Sequence, residues 1–302
     1  MNIFVAGATG AIGHPLVSQL VAEGHKVVGM VRIEENCRRL SEQGAKGIIA
    51  DALDAGAVLA ALARIRPEVV INQLTALPKH YTAEAMRAAQ PVYRKLRTEG
   101  GANLEAAAQA AGIRRYILQS VAFLYAPGEG LATEDTPFTL DDSPHVVFYT
   151  RLYQEIEQHA FSLSNIEVVV LRYGFLYGPG TWYAREGDVA DQVRRRQRPL
   201  VGDGQGVWSW VHVEDAARAA ALAVTRGAPG VYNVVDDDPS PMRTWLPEYA
   251  RWLGAPMPPT VPVDQLSDDI YVYYATRLRG ASNAKAKRKL EFRPRPLEWR
   301  GV

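Results

Sequence analysis

Three glycines spaced three residues apart lie between an apolar run and an amphipathic stretch at the start of the chain. From residue 2 the segment reads NIFVAGATGAIGHPLVSQLVAEGHKVVGMVR. In a strand–helix–strand unit the first glycine allows a tight turn, the second lets backbone approach a pyrophosphate, and the third lets the helix pack closely on the sheet. The helix N-terminus then presents free N–H groups and a positive dipole end to phosphate. Glycines alone also occur in purely structural turns, but the complete unit predicts a dinucleotide-binding loop, with contacts from Gly7, Thr9, Gly10, Ala11, Ile12 and Gly13.

Short apolar runs alternate with alanine-rich helical stretches over the first 120 residues. This alternation is typical of a parallel sheet covered by helices on both faces, so we predict an α/β, Rossmann-type doubly wound fold. Hydrophobic residues make up 47% of the 302 residues, which is enough for a sizeable packed core. The predicted strands are Asn2–Ala6, Lys26–Met30, Gly47–Ala50, Glu68–Asn72, Arg115–Gln119 and Glu167–Leu171.

The longest helical stretch covers residues 82–111 and contains Pro91, which predicts a break or a kink and leaves one helix or two open. After Arg172 the strand–helix alternation stops, and glycine, proline, tryptophan and tyrosine become frequent. We therefore expect a smaller C-terminal substrate lobe. The predicted dinucleotide-binding domain is 1–172, with a return of the chain to its sheet at about 208–235, and the lobe is formed by 173–207 and 236–302.

The residues Val31 and Arg32, just after the second predicted strand, bear on the choice of cofactor. NAD-preferring loops usually carry an acidic residue there to bind the ribose hydroxyls, whereas this chain has Arg32. A guanidinium forms bidentate bonds to phosphate, so NADP(H) is favoured over NAD(H). Alternatively, Arg32 is a solvated charge and Glu34 or Glu35 reaches the ribose. Asp51, after the third strand, is placed to bind adenine or to cap a helix.

Composition excludes several classes of partner and site. Lys plus Arg number 34 and Asp plus Glu 33, a net charge of +1 that favours a small-molecule substrate over nucleic acid or a membrane surface. Cys37 is the lone cysteine, and no His, Cys, Asp or Glu cluster has metal-ligand spacing, so we expect neither a disulfide nor a metal. Without a long apolar stretch or a basic leader, we expect a cytoplasmic protein.

Five motifs together resemble the extended and atypical short-chain dehydrogenase/reductases, the NAD-dependent epimerase/dehydratase group. They are GATGAIG at 7–13, LRYGFLYGPG at 171–180, WVHVEDAA at 210–217, VYNVVDD at 231–237 and SNAKAKRKL at 282–290. The resemblance implies a Rossmann domain with a small C-terminal substrate lobe, nicotinamide near their junction, and chemistry at a carbonyl or carbinol carbon. It also implies a possible homodimer through the helices at 82–111 and 145–163.

The same resemblance implies three catalytic positions. A hydroxyl residue after the fifth strand matches Ser120, whose alternative role is to cap local backbone. The catalytic tyrosine matches Tyr149, but the lysine expected four residues later, which also holds the nicotinamide ribose, is Tyr153. Glu157 supports this alignment, because family helices often carry glutamate four residues after the lysine position. Without the ammonium, Tyr149 keeps a high pKa, which makes it a poor base but leaves it able to donate a proton. Tyr149 and Tyr153 share a helix face and are alternatively core aromatics.

Aromatic residues after the sixth strand predict an apolar substrate pocket lined by Tyr177, Trp182 and Tyr183, although packing between the lobes explains them equally. The basic run 194–198 suits a nucleotide diphosphate or, more simply, a solvated helix end. The favoured hypothesis is an NADP(H)-dependent oxidoreductase that reduces a carbonyl of a small aromatic or hydrophobic compound. The alternatives are a nucleotide-sugar epimerase or dehydratase and a non-catalytic NAD(P)-binding regulator.

Overall fold

A computed structural model describes residues 1–301 and is built on a seven-stranded sheet. The strand order is β11-β6-β5-β4-β1-β2-β3, and every pair of neighbours is parallel. The α/β, doubly wound prediction is therefore confirmed, and the six predicted strands are present with shifts of one or two residues at their ends. The sheet strands are β1 (Asn2–Ala6), β2 (Lys26–Val31), β3 (Lys46–Ile49), β4 (Val69–Asn72), β5 (Arg115–Val121), β6 (Glu167–Tyr173) and β11 (Gly230–Val234).

The remaining strands form three small two-stranded sheets beside the main one. The sequence predicted that the run beginning at Val207 rejoins the main sheet, and this is correct only for β11. Its earlier part pairs instead with short strands of the C-terminal half. The small pairs are β7 (Phe175–Tyr177) with β10 (Trp210–His212), β8 (Leu200–Val201) with β13 (Thr260–Val261), and β9 (Val207–Trp208) with β12 (Ser240–Pro241).

Two hydrophobic layers lie on the two faces of the main sheet, because successive residues of a strand point to opposite sides. In β1, Ile3 and Val5 belong to one layer and Phe4 and Ala6 to the other. The helices are α1 (Gly13–Ala22), α2 (Glu34–Glu42), α3 (Ala55–Ile65), α4 (Ala83–Lys95), α5 (Gly101–Ala111), α6 (Pro144–Phe161), α7 (Asp188–Arg194), α8 (Val213–Ala223), α9 (Met242–Trp252), α10 (Asp269–Thr276) and α11 (Ala284–Lys289).

The stretch from residue 83 to 111 is continuous, and its irregularity does not lie at Pro91. Pro91 is accommodated inside α4, and a π-helical turn at Leu96–Gly100 joins α4 to α5. A π-turn adds a residue to one turn and so changes which side chain faces inward. Arg97, in this turn, is buried, and its guanidinium donates to the carbonyl oxygens of Leu74 (2.9 Å) and Gln119 (2.5 Å).

Candidate active site

A cavity of about 900 Å³ opens over the carboxyl ends of the main-sheet strands. It includes the crevice between β1 and β4, where the strand order reverses and where ligands of doubly wound folds bind. The glycine loop borders one part of the cavity, and aromatic side chains from both halves of the chain border another. The volume falls within the usual range of small-molecule sites.

The glycine loop is shaped so closely that side chains do not fit at two of its positions. Gly7 has a φ of +84°, and a Cβ atom there would lie 2.6 Å from the carbonyl oxygen of Gln73. A Cβ on Gly13, the first residue of α1, would lie 2.0 Å from the carbonyl oxygen of Gly7. Between them, Thr9 and Gly10 are exposed at the cavity, as the dinucleotide prediction requires. We call the backbone of residues 7–13 the glycine cradle. Its shape fits a pyrophosphate, and the first turn of α1 carries no acidic side chain that would repel one.

The two predicted adenosine contacts also border the cavity. Arg32 is exposed at the end of β2 and has no ion-pair partner among residues 1–301. Glu35 pairs instead with Arg38 and Arg39 on the surface of α2. Asp51 is exposed and accepts the backbone N–H of Leu53 at 2.9 Å.

Tyr149 and Tyr153 lie on one face of α6, and both border the cavity. Tyr149 is half-buried and packs edge-on against Tyr93 of α4, with ring centroids 6.1 Å apart. Burial is the main cause that raises the pKa of Tyr149 far above its ordinary value, and Tyr93 raises it further. Tyr153 is buried, its hydroxyl pairs with that of Tyr93, and burial likewise raises its pKa. Both phenols are therefore protonated at any working pH.

A buried cation lies near Tyr153, although no sequence pattern pointed to it. The Arg97 guanidinium is 5.4 Å from the centroid of the Tyr153 ring. The guanidinium is held by the backbone carbonyls of Leu74 and Gln119, two residues that border the cavity. The π-turn that directs it inward has no sequence signature comparable to the glycine loop.

The predicted catalytic hydroxyl, Ser120, is engaged by a neighbouring carboxylate. Ser120 borders the cavity but is fully buried, and its hydroxyl donates to Glu157 Oε1 at 2.5 Å. Glu157 also accepts from Arg172 Nε (2.9 Å) and Nη2 (2.6 Å). The hydroxyl is held by a buried ion pair between α6 and β6. The next residue, Val121, offers only an apolar side chain to the cavity.

The predicted substrate wall is present in part. Trp182 is half-buried at the cavity, stacks on Tyr81 with centroids 4.3 Å apart, and donates its Nε1–H to the carbonyl of Pro78. Tyr183 borders the cavity but is buried, and it packs edge-on against Trp210 with ring centroids 4.9 Å apart. Tyr177 is not among the residues that border the cavity. It lies opposite His212 in the β7–β10 pair and is fully buried there.

Within residues 1–301, the side chains of His, Cys, Asp and Glu form no group of three or more that could hold a metal ion. The same residues include no helix that is long and apolar enough to cross a bilayer.

Comparison with protein families and curated proteins gives consistent matches. The model of the "NAD dependent epimerase/dehydratase family" matches residues 3–234. A "3-diazoavenalumate denitrifying reductase" from Streptomyces sp is 44% identical over 311 residues, which cover 99% of this chain and 98% of that protein. A "2-alkyl-3-oxoalkanoate reductase" from Stenotrophomonas maltophilia is 28% identical over 85% of this chain and 77% of that protein.

Solved structures share the fold at lower sequence identity. The UDP-glucose 4-epimerase of Thermotoga maritima, solved with UDP-glucose, superposes with a TM-score of 0.77 at 21% identity and covers 100% of this chain and 96% of its own. A dTDP-glucose 4,6-dehydratase from Streptomyces venezuelae, solved with NAD bound, gives a TM-score of 0.77 at 22% identity, with 99% and 93% covered. These similarities extend along the whole chain, including the C-terminal part.

Proposed function

Because this chain belongs to the NAD-dependent epimerase/dehydratase family and is an NAD(P)-dependent oxidoreductase, we propose a reductive reaction for it. It is of the short-chain dehydrogenase/reductase type, and the proposed reaction reduces an aromatic diazonium group and releases N₂. When bound, the reduced dinucleotide supplies a hydride. The residues that would hold it are those of the glycine cradle, with Arg32 and Asp51 at the adenosine end. Aromatic side chains, including Tyr81, Tyr149 and Trp182, form part of the remaining cavity wall and suit a flat substrate.

The observation that carries this proposal is that the tyrosine–lysine pair implied by the resemblance is incomplete at the cavity. Tyr153 occupies the lysine position and is paired with Tyr93, and Ser120 is turned toward Glu157. Tyr149 has a raised pKa and is unsuited to take up a proton. An epimerase or dehydratase on a nucleotide sugar begins by oxidising a carbinol, which requires such a base. These side chains therefore disfavour that alternative.

Reductive loss of nitrogen makes no such demand on the protein. In the net reaction an arenediazonium ion accepts a hydride, whose electron pair forms the new C–H bond, and the C–N bonding pair leaves with N₂. Atoms and charge balance without a proton from any side chain. The task left to the protein is to orient the ring and exclude water, which stacked aromatic walls perform. The 44% identical relative, named as a denitrifying reductase, supports this class of reaction.

The proposal is tested with an arenediazonium salt labelled with ¹⁵N in both positions, together with reduced cofactor that carries deuterium at its transferable position. We expect doubly labelled N₂ in the headspace and one deuterium on the ring carbon that carried nitrogen. Heat-denatured protein and protein without cofactor are the controls for spontaneous decomposition. Nitrogen release no faster than in these controls would contradict the proposal.

A second candidate, reduction of a carbonyl, is supported by the protonated Tyr149 hydroxyl at the cavity and by the 28% identical oxoalkanoate reductase. Carbonyl reduction needs a proton on oxygen as well as a hydride on carbon. The variant Tyr149→Phe separates the two reactions. General acid catalysis is worth about 10²–10⁴ in rate, so this variant should lose that factor on a ketone but change the diazonium reaction by less than about threefold.

We further propose that the cofactor is NADP(H) rather than NAD(H). Arg32 is unpaired among the described residues and exposed at the cavity, whereas Glu35 is engaged by arginines of its own helix. A guanidinium in this position suits a 2′-phosphate.

A further inference from the structure

Arg198 is a buried cation that lacks the partner a buried cation normally has. It is 6% exposed, and its Nε and Nη2 atoms are buried without a hydrogen-bond acceptor. No carboxylate within residues 1–301 lies within 4.0 Å of its guanidinium nitrogens. By contrast, Arg172 is paired with Glu157, and Arg115 with Glu167 and three carbonyl oxygens. An unpaired buried charge is costly, because buried charges in proteins are normally paired or bound to a ligand such as a metal ion.

Two aromatic rings pack against the Arg198 guanidinium, and one of these residues, Tyr81, also has a side-chain hydrogen bond with it. The guanidinium carbon lies 3.8 Å from the ring centroid of Tyr271 and 4.8 Å from that of Tyr81. Cation–π contacts of this kind stabilise the charge through the ring faces. The Nε and Nη2 atoms remain without an acceptor among the described residues, and a guanidinium can bind a planar anion through two parallel bonds.

The acidic residues near Arg198 already have partners. Asp188 accepts from the ring of His80 and from the backbone N–H of Tyr81. Asp268 caps α10 by accepting the backbone N–H of Tyr271, and Asp269 pairs with His145. These carboxylates also make the surroundings unfavourable for a group with two or more negative charges. The anion that fits is therefore singly charged and comes from outside the chain.

Arg198 borders the same cavity as Tyr149, and Tyr81 connects the two. The charge of Arg198 lowers the pKa of Tyr81 against the larger effect of burial, and ionisation of Tyr81 in turn affects Tyr149. Tyr81 also stacks on Trp182. We propose that Arg198 binds the carboxylate of an aromatic acid whose ring lies along Tyr81 and Trp182. This assignment rests on the proposed function, since it names the class of substrate for the same cavity.

The test measures binding by isothermal titration calorimetry and requires no turnover. The probes are 4-hydroxycinnamate and its uncharged amide, which differ in charge but hardly in shape. We expect the acid to bind at least about tenfold more tightly than the amide to the unaltered protein, given the strength of charge-assisted bonds. Arg198→Gln should abolish this preference and leave amide binding unchanged. Arg195→Gln, at an exposed neighbour, is the matched control and should keep it.

The near-UV circular dichroism of each variant shows whether the fold is retained. If Arg198→Gln does not fold, Arg198→Lys keeps the charge but loses the bidentate geometry, and should lower the preference at least about fivefold. Equal binding of acid and amide to the unaltered protein, or an unchanged preference in a folded Arg198 variant, would overturn the assignment. Tighter, Arg198-dependent binding of phenyl phosphate than of 4-hydroxycinnamate would also overturn it. An acid preference without N₂ release would contradict only the proposed reaction, whereas N₂ release without that preference would contradict only this assignment.

Discussion

Replacing Ser120 by alanine removes one buried hydroxyl and leaves the backbone and packing of β5 unchanged. The hydroxyl donates to a carboxylate, and hydrogen bonds to charged groups contribute about 1.5–3 kcal/mol to stability. Glu157 retains both bonds from Arg172, so the cost stays below the roughly 3–5 kcal/mol expected when a buried ion pair loses one member. We therefore expect the free energy of unfolding to fall by about 2 kcal/mol in Ser120→Ala.

The same structure predicts that this variant keeps its catalytic rate. The hydroxyl points to Glu157 rather than to the cavity, so the rate of cofactor oxidation at saturating substrate should change by less than about threefold. Stability is measured by urea denaturation, with the slope compared between variants to check that the unfolding transition is unchanged.

A matched control is Thr150→Val, which removes a fully buried hydroxyl of α6 that has no hydrogen-bond partner and keeps the side-chain shape. This change should be neutral or stabilising, because an unsatisfied polar group is lost. The reasoning is refuted if Ser120→Ala loses more than about tenfold in rate while its free energy of unfolding is unaltered. That result would return Ser120 to the catalytic role suggested by the resemblance.

Three further predictions concern the cofactor, the tyrosine at the lysine position and a buried acid. Arg32→Ala should weaken NADPH binding by at least about tenfold and leave NADH binding unchanged in equilibrium dialysis, and equal affinities in the unaltered protein would contradict the NADP(H) assignment. Tyr153→Phe should lower the free energy of unfolding by about 1 kcal/mol, measured by thermal unfolding, because the hydrogen bond with Tyr93 is lost. The pH dependence of the reaction rate should not change. A shifted pH–rate profile would give this phenol a role in proton transfer. Burial raises the pKa of Asp236 to about 7 from an ordinary value of 3.8, so its folded form retains a proton that the unfolded chain releases. The stability that this group contributes is complete below about pH 4 and is lost as the pH rises to about 7, by at most about 1.4 kcal/mol per pH unit. In denaturation series at several pH values, Asp236→Asn should lack this pH dependence. Equal pH dependence in the variant and the unaltered protein would contradict the effect.

The sheet and the cofactor cradle were predictable because they depend on local patterns. The β-branched runs identify β1 to β6 within one or two residues, and the glycine spacing identifies the turn before α1. These signals are short in sequence and carry their own steric reasons, such as the positive φ of Gly7.

The orientation of side chains at the strand ends was not predictable from the same patterns. Ser120 and Val121 both border the cavity, but the Ser120 hydroxyl is engaged by Glu157 of α6, a contact that no local pattern predicts. The burial of Arg198 was also not predictable from the sequence. The other arginines of the basic run, 194–196, are exposed, as expected for a solvated helix end. The burial of Arg198 depends on Tyr81 and Tyr271, which are distant in sequence.

The stack of Trp182 on Tyr81 gives the protein a built-in optical reporter. Of the six tryptophans, four are fully buried in the aromatic core, Trp252 packs outside the cavity, and Trp182 borders the cavity itself. Its emission spectrum therefore responds to what enters the cavity, and an absorbing dinucleotide within its transfer radius will quench it. Occupancy of the cavity can thus be followed in stopped-flow mixing without any label. The variant Trp182→Phe, which lacks this fluorophore, is the control.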